Sequence, residues 1–226
     1  MKKQQPSISE DIILQTSWEL LGEEGIEKFS LRGLAERLGI QAPSLYWYFK
    51  SKQKLYERLS NQVAKIVLEE FHPEGDWKEQ LAGFASTVRN VLGRYPCSTQ
   101  LMMLTLPVEP DSVRFTNRML LCVESLPLEQ EHKLQVVFTL TNYVLGFVLD
   151  NEQDRRNFSI DRKGKETHPA GEMVRLLDAM SESDAGLFRK MYKSGLYELM
   201  GTDAAFEFGL KLILLGIEQA IKEQGE

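Results

Sequence analysis

The chain has 226 residues, of which 42% are hydrophobic and 27% charged, so it can bury a full core in one or two domains. No apolar run approaches the roughly 20 residues that a membrane-spanning helix needs, and no signal-peptide core follows the first five residues. These features, with a formal net charge of -6, exclude a membrane protein and predict a globular cytoplasmic one.

The first predicted helix begins after Ser9, whose side chain can cap it, and runs through Glu23. Gly25 is predicted to end this helix. Its apolar positions would pack a small N-terminal domain. These positions are Ile12, Ile13, Trp18, Leu20 and Leu21.

The next segment, SLRGLAERLGIQAPSLYWYFKSKQK, begins at Ser30 and has the pattern of a helix-turn-helix. Ser30 can cap a helix whose apolar residues recur at intervals of three and four along one face. Gly39 follows the last of them, where a left-handed residue commonly ends a helix. The apolar positions are Leu31, Leu34, Ala35 and Leu38.

A second helix is predicted over Ala42–Tyr48, with Pro43 near its start. It has only about two turns, so its position depends on the packing of Leu45 and Phe49. In a helix-turn-helix this helix lies in the DNA major groove. An ordinary helical hairpin is the alternative, and the motif context favours DNA binding.

The charge distribution agrees with DNA binding although the whole chain is acidic. From Lys28 to Arg58, seven basic residues stand against Glu36 and Glu57, a local balance of 7 − 2 = +5. This excess would attract phosphates, and the acidic remainder would limit indiscriminate adhesion. The basic residues are Lys28, Arg32, Arg37, Lys50, Lys52, Lys54 and Arg58.

The rest of the chain reads as helices without strand alternation, which predicts an all-α fold. Residues 72–76 form a break, and residues 157–171 are interpreted as a mobile loop in which His168 is a solvated side chain rather than a ligand. The predicted helices cover Lys52 to about Phe71, Trp77 to Arg94, Leu128 to Asn157, and Asp203 to Lys222.

No catalytic or metal-binding set is evident. Cys97 and Cys122 are isolated, so we expect thiols and no structural zinc. Asp150, Glu152 and Asp154 lie close together, but carboxylates on one helix without a nucleophile or phosphate loop usually form a solvated face. The chain is therefore predicted not to be an enzyme, and no cofactor is expected.

The motif LGIQAPSLYWYFKSKQKL closely resembles the N-terminal signature of the TetR family of transcriptional regulators. The segments NYVLGFVLDNEQ and AAFEFGLKLILLGIEQAIK are similar to dimer-forming helices of its tetracycline repressor branch. The resemblance implies a DNA-binding domain with its connecting helix in residues 1–71, and an effector-binding and dimerisation domain in residues 72–226. It implies a homodimer that leaves double-stranded operator DNA when a small effector binds. An activator of the same fold and a non-enzymatic helical adaptor are the alternatives.

The resemblance also implies roles at the DNA. Arg32 matches a base-contacting arginine and could bind guanine O6 and N7, although a simply exposed arginine is the alternative. Ala42 and Pro43 begin the recognition helix, where apolar groups can touch a thymine methyl. Gly33 and Ala42 depart from the branch's pattern, which indicates a different operator sequence.

Four positions of this chain match phosphate-contacting positions of the family, and hydroxyl or ammonium groups suit that task. They are Ser44, Tyr46, Tyr48 and Lys52. Trp47 could pack between helices or lie against the sugar edge, and a mixed role is expected. Gln41 and Lys50 complete the predicted interface.

The tetracycline repressor branch holds a magnesium–tetracycline chelate in a polar pocket with a histidine ligand. This chain places Met102 at that histidine and Asn142 at another histidine, so most of the chelate site is missing, although Thr105 and Asp150 keep their character. We expect instead a hydrophobic or amphipathic effector bound without metal. The predicted pocket residues, which could equally be plain core, are Leu68, Phe84, Val88, Met102, Met103, Thr105, Leu106, Asn142, Phe147 and Asp150.

Overall fold

The computed structural model describes residues 8–159 and 169–224, and within them every regular element is helical. The predicted all-α fold is confirmed. The first seven helices are α1 (Glu10–Lys28), α2 (Leu31–Leu38), α3 (Ala42–Tyr48), α4 (Lys52–Glu70), α5 (Trp77–Leu92), α6 (Ser98–Leu104) and α7 (Pro110–Val123). The remaining ones are α8 (Gln130–Ser159), α9 (Pro169–Ala179), α10 (Glu182–Lys193), a 3-10 helix (Leu196–Leu199) and α11 (Asp203–Gln224).

The chain forms two compact units, Met1–Val137 and Phe138–Glu226. The functional division predicted between residues 71 and 72 falls inside the first unit and stays a prediction. None of the helices in the described ranges is both long and apolar enough to cross a membrane.

Three serine caps begin the N-terminal helices. Ser9 accepts a hydrogen bond from the Ile12 amide, and Ser30 and Ser51 do the same for α2 and α4. Each cap satisfies an amide that would otherwise lack a partner in the first helical turn. The predicted starts of these helices are therefore confirmed.

Gly25 interrupts α1, as predicted. Its φ of 77° and ψ of 168° are not helical, so the chain kinks there, and a further helical turn continues to Lys28. The Phe29 amide then donates to the Gly25 carbonyl at 3.2 Å. A glycine can therefore interrupt helical dihedrals while the following turn re-forms.

The first unit is built around α4, whose apolar face packs against α5, α6 and α7. Leu55, Leu59 and Val63 are fully buried along that face. Beyond its end, the ring of Phe84 contacts those of Phe71 and Phe115, with centroids 4.9 and 5.0 Å away. This aromatic cluster anchors α5 and α7 to the segment that follows α4.

In the second unit, α8 and α11 approach closely at Gly209. A Cβ there would overlap the ring of Tyr143, whose hydroxyl donates to the Phe206 carbonyl at 2.7 Å. This close approach of the two helices at Gly209 occurs within one chain. Nothing lies within 4 Å of a Cβ at Gly216.

The predicted bounds of the loop at residues 157–171 are wrong at both ends, because helices extend into the range from each side. Helix α8 continues to Ser159 and α9 begins at Pro169, a residue that fits the first turn of a helix because it lacks an amide hydrogen. His168 lies outside the described residues. Helices α9 and α10 were not predicted from the sequence.

Candidate nucleic-acid interface and effector site

The turn between α2 and α3 is fixed by backbone hydrogen bonds. Gly39 adopts φ 67°, and its amide donates to the Glu36 carbonyl at 3.1 Å, while the Ile40 amide donates to Ala35 at 3.0 Å. Left-handed geometry at this position carries little cost only for glycine. The turn therefore sets the direction in which α3 leaves α2.

Helix α3 buries one residue, Leu45, which is fully inaccessible, and the following Phe49 is 4% exposed. The opposite face carries Trp47, 83% exposed, and Tyr46, 49% exposed. With Tyr48, 44% exposed, they form a run of three exposed aromatic side chains, and an exposed apolar patch of this kind can mark a binding surface. In the first unit, Trp47 therefore does not pack between helices and is available to a partner.

We call the surface formed by the predicted DNA-binding residues the reading face. Each of its members is exposed or partly exposed. They are Arg32, Gln41, Ala42, Pro43, Ser44, Tyr46, Trp47, Tyr48, Lys50 and Lys52. The structure thus leaves these residues accessible at α2, α3 and the start of α4, and their contacts with DNA stay predictions.

The positive charge near the reading face is smaller than the linear count indicates. Arg37 pairs with Glu23, which lies outside the counted window, and Lys54 pairs with Glu57. Arg58 contacts Glu10 at 2.7 Å and Glu109 at 2.9 Å. With Arg32, which pairs with Glu36 of its own helix, four of the seven basic residues are thus partly neutralised by carboxylates, two of them by residues distant in sequence.

The Arg37–Glu23 pair also shifts the titration of both groups. The hydrogen bond from Arg37 is the main reason that the pKa of Glu23 is lowered, and the same bond raises the pKa of Arg37. Both side chains are solvent-accessible. The pair therefore orients α2 against α1 without adding free positive charge to the reading face.

Two reading-face residues use their polar groups inside the protein. The Tyr48 hydroxyl donates to the Ile8 carbonyl at 2.5 Å, and the Lys52 ammonium donates to the Phe29 carbonyl at 2.6 Å. Burial lowers the pKa of Lys52. By contrast, the Arg32 side chain is 87% exposed and contacts only Glu36 of its own helix among the described residues.

The predicted effector residues of the first unit lie on α4, α5, α6 and the segment after α6. Phe84 and Val88 are buried, and Phe84 belongs to the aromatic cluster of the core. Leu68, Met102 and Thr105 are partly exposed. Met103 is 58% exposed and Leu106 is 73% exposed.

The other predicted effector residues belong to α8 in the second unit. Asn142 and Asp150 are exposed, and Phe147 is partly exposed. The ring of Phe147 contacts Phe206 of α11 with centroids 5.1 Å apart. The grouping of these residues with those of the first unit in one effector site stays a prediction.

Sequence reasoning missed a polar network that joins α4 to the segment before α7. The buried Asn61 accepts hydrogen bonds from the amides of Asp111 at 2.8 Å and Ser112 at 3.1 Å, and so caps α7 from another helix. Thr105 donates to Ser60 at 3.0 Å. The only sign of this network in the sequence was the presence of polar residues between the apolar positions of α4.

An all-α unit with a helix-turn-helix, an exposed aromatic recognition helix and nearby cations defines a DNA-binding regulator. Comparisons with known proteins specify the family. The model of "Bacterial regulatory proteins, tetR family" matches residues 13–59, and that of "Tetracyclin repressor-like, C-terminal domain" matches residues 71–221. The chain belongs to the TetR family and is a transcriptional repressor of the tetracycline-repressor type.

Individual relatives agree with this assignment. The chain is 29% identical to tetracycline repressor protein class C of Escherichia coli over 217 residues. The aligned region covers 94% of this chain and 91% of the relative. ActR of Streptomyces coelicolor, solved in complex with actinorhodin, is similar in fold, with a TM-score of 0.74 and 22% identity over 95% of this chain and 98% of ActR.

A DNA complex also shares the fold. BioQ, solved with its double-stranded DNA operator, matches with a TM-score of 0.59 and 18% identity. The match covers 66% of this chain and 89% of BioQ. At 18% sequence identity, the match shows that the two proteins share a fold.

Proposed function

We propose that this repressor is a cytoplasmic, non-enzymatic homodimer that leaves its operator when a small hydrophobic or amphipathic effector binds. The observation that carries DNA binding is the 83% exposure of Trp47 on the outer face of a fixed recognition helix. Similarity to a tetracycline repressor and to the ActR–actinorhodin complex supports a small-molecule effector.

Two reading faces are needed for a symmetric operator, since each helix-turn-helix reads one half-site. The exposed residues of α11 support a homodimer. Phe208, Leu212 and Leu215 are 63%, 55% and 48% exposed, and Gly216 leaves room for close approach. A second copy of the chain would cover this apolar surface.

The effector is proposed to bind through apolar contacts rather than a magnesium chelate. The positions that match chelating or polar groups in the tetracycline repressor branch carry Met102, Leu106 and Asn142. Methionine and leucine adapt to apolar ligands and are poor ligands for Mg²⁺. Thr105 would supply a polar contact, although its hydroxyl already forms hydrogen bonds with the Leu101 carbonyl and the Ser60 hydroxyl.

Polar contacts made by the first half of α4 provide a physical path between the effector and the DNA. Arg58 contacts both Glu10 of α1 and Glu109 before α7, while Gln53 donates to the Leu104 carbonyl at 3.1 Å. A ligand that shifts the segment after α6 would therefore pull on α4, whose first residues adjoin the recognition helix. Release of DNA requires that the ligand bind the two arrangements with different affinity.

Calorimetric titration tests the effector class. We expect tetracycline to bind weakly or not at all, and to the same extent with and without magnesium. Tight binding that requires magnesium would show that the chelate site is intact. A labelled operator duplex added to the same samples then reports whether a bound compound lowers DNA affinity, as thermodynamic linkage demands.

A further inference from the structure

The junction between α3 and α4 is fastened to both ends of α1. Ile8, which accepts from the Tyr48 hydroxyl, precedes α1, and Phe29, which accepts from Lys52, follows it. Helix α3 has 7 residues, too few to be stable without tertiary contacts. These two hydrogen bonds hold the end of the recognition helix where the chain turns into α4.

The surroundings of Lys52 suit an internal contact. Its ammonium lies 5.6 Å from the ring centroid of Phe29 and 5.2 Å from that of Tyr56, and both rings are buried. Cations are attracted to aromatic faces and to the carbonyl groups at a helix C-terminus, which carry partial negative charge. These three contacts tie the ammonium to the end of α1 and to the start of α4.

Lys50 differs from Lys52 in its exposure to solvent. It is exposed, two residues before Lys52, and forms no ion pair within the described part of the chain. An exposed lysine beside the recognition helix can approach a phosphate without giving up an internal bond. The two lysines at this junction are therefore not equivalent.

We propose that Lys52 and Tyr48 are positioning residues that hold α3 against α1, and that Lys50 supplies the phosphate contact at this junction. The inference rests on the DNA binding assigned to the reading face. It differs from the family pattern, in which the positions of Tyr48 and Lys52 contact phosphates.

The test measures DNA affinity as a function of salt by fluorescence anisotropy. The probe is a labelled duplex that the unmodified protein selects from a random library, and circular dichroism confirms that each variant is folded at the measuring temperature. Lys50→Met should reduce the slope of log affinity against log salt by about 0.9 for each phosphate that the side chain no longer neutralises. Its melting temperature should stay unchanged.

Lys52→Met should instead weaken binding roughly tenfold with an unchanged salt slope, because it removes a charge-assisted hydrogen bond inside the protein. Lys52→Arg, which keeps the charge and the donor, should restore affinity. A reduced salt slope for Lys52→Met would identify Lys52 as a phosphate contact. A lower melting temperature with unchanged affinity would show that its role is only structural.

Tyr48→Phe provides a second variant if Lys52→Met does not fold. It removes one hydroxyl, and we expect weaker DNA binding at an unchanged salt slope. Affinity equal to that of the unmodified protein would refute the positioning role of Tyr48. If the unmodified protein selects no duplex at all, DNA binding itself is refuted, which is a different outcome from failure of either variant.

Discussion

Trp47 and Arg32 are the side chains on which the proposed recognition of DNA most depends. The indole of Trp47 presents apolar area to solvent, and the Arg32 guanidinium, 87% exposed, is restrained only by a contact with Glu36 one turn away. Exposed ion pairs of this kind are weak, so Arg32 can exchange its carboxylate for a base edge at little cost.

If Arg32 makes the proposed bidentate hydrogen bonds to guanine, Arg32→Ala should weaken binding to the selected operator by about 1 to 3 kcal/mol and relax the preference at one base pair. Binding to operator variants measures this effect. Arg37→Ala on the same helix is the matched control, since Arg37 pairs with Glu23, and it should leave base preference unchanged. Equal weakening on all sequences for Arg32→Ala would make Arg32 a phosphate contact.

Tyr56 carries a buried hydroxyl that has no hydrogen-bond partner among the described residues, and burial raises its pKa to about 12. Tyr56→Phe should therefore leave the free energy of unfolding unchanged or raise it by about 1 kcal/mol, since it breaks no hydrogen bond. Tyr143→Phe, which removes a hydroxyl bonded to Phe206, should lower it by about 1 kcal/mol. Urea denaturation compares the two, and a large decrease for Tyr56→Phe would reveal a partner.

At the scale of elements, local sequence signals predicted the helix-turn-helix correctly. The serine caps, Gly39 and Pro43 act on their own or adjacent turns, so their effects are readable without knowledge of the fold. The α4 network and the ion pairs of Arg58 were not predictable, because Asn61 and Asp111 are 50 residues apart. Only the folded chain brings such partners together.

Gly39→Ala should lower the free energy of unfolding by about 1 to 2 kcal/mol, because a Cβ is strained in the left-handed region. Gly93→Ala is a suitable control. Gly93 also follows a helix, but its φ of −63° suits any residue, so we expect no loss of stability. Equal stability of the two variants in urea denaturation would contradict the role assigned to the turn.

Asn61→Ala tests the cap that α4 provides for α7. The substitution leaves two amides without their acceptor and should lower the free energy of unfolding by about 2 kcal/mol. Asn90→Ala on α5, where the side chain is exposed, should have an effect within about 0.5 kcal/mol. Chemical denaturation at neutral pH distinguishes the two, and similar small effects would mean that water replaces the cap.

At the scale of the molecule, charge is divided between surfaces. The net charge of -6 belongs to the whole chain, while the reading face retains cations such as Lys50 and Arg32. Sequence reasoning identified this division but overestimated the local excess, because carboxylates distant in sequence, Glu10, Glu23 and Glu109, fold back onto counted residues. The effector's identity depends on the arrangement of side chains from several helices, which periodicity does not encode.

Selection of binding sites from a random duplex library is the most direct measurement of the central claim. If the chain is a dimeric DNA-binding repressor, the enriched sequences should contain two inverted half-sites one DNA turn apart, roughly 34 to 36 Å. Affinity for them should fall steeply as salt rises. Failure to enrich any sequence, or binding that does not change with salt, would contradict the account.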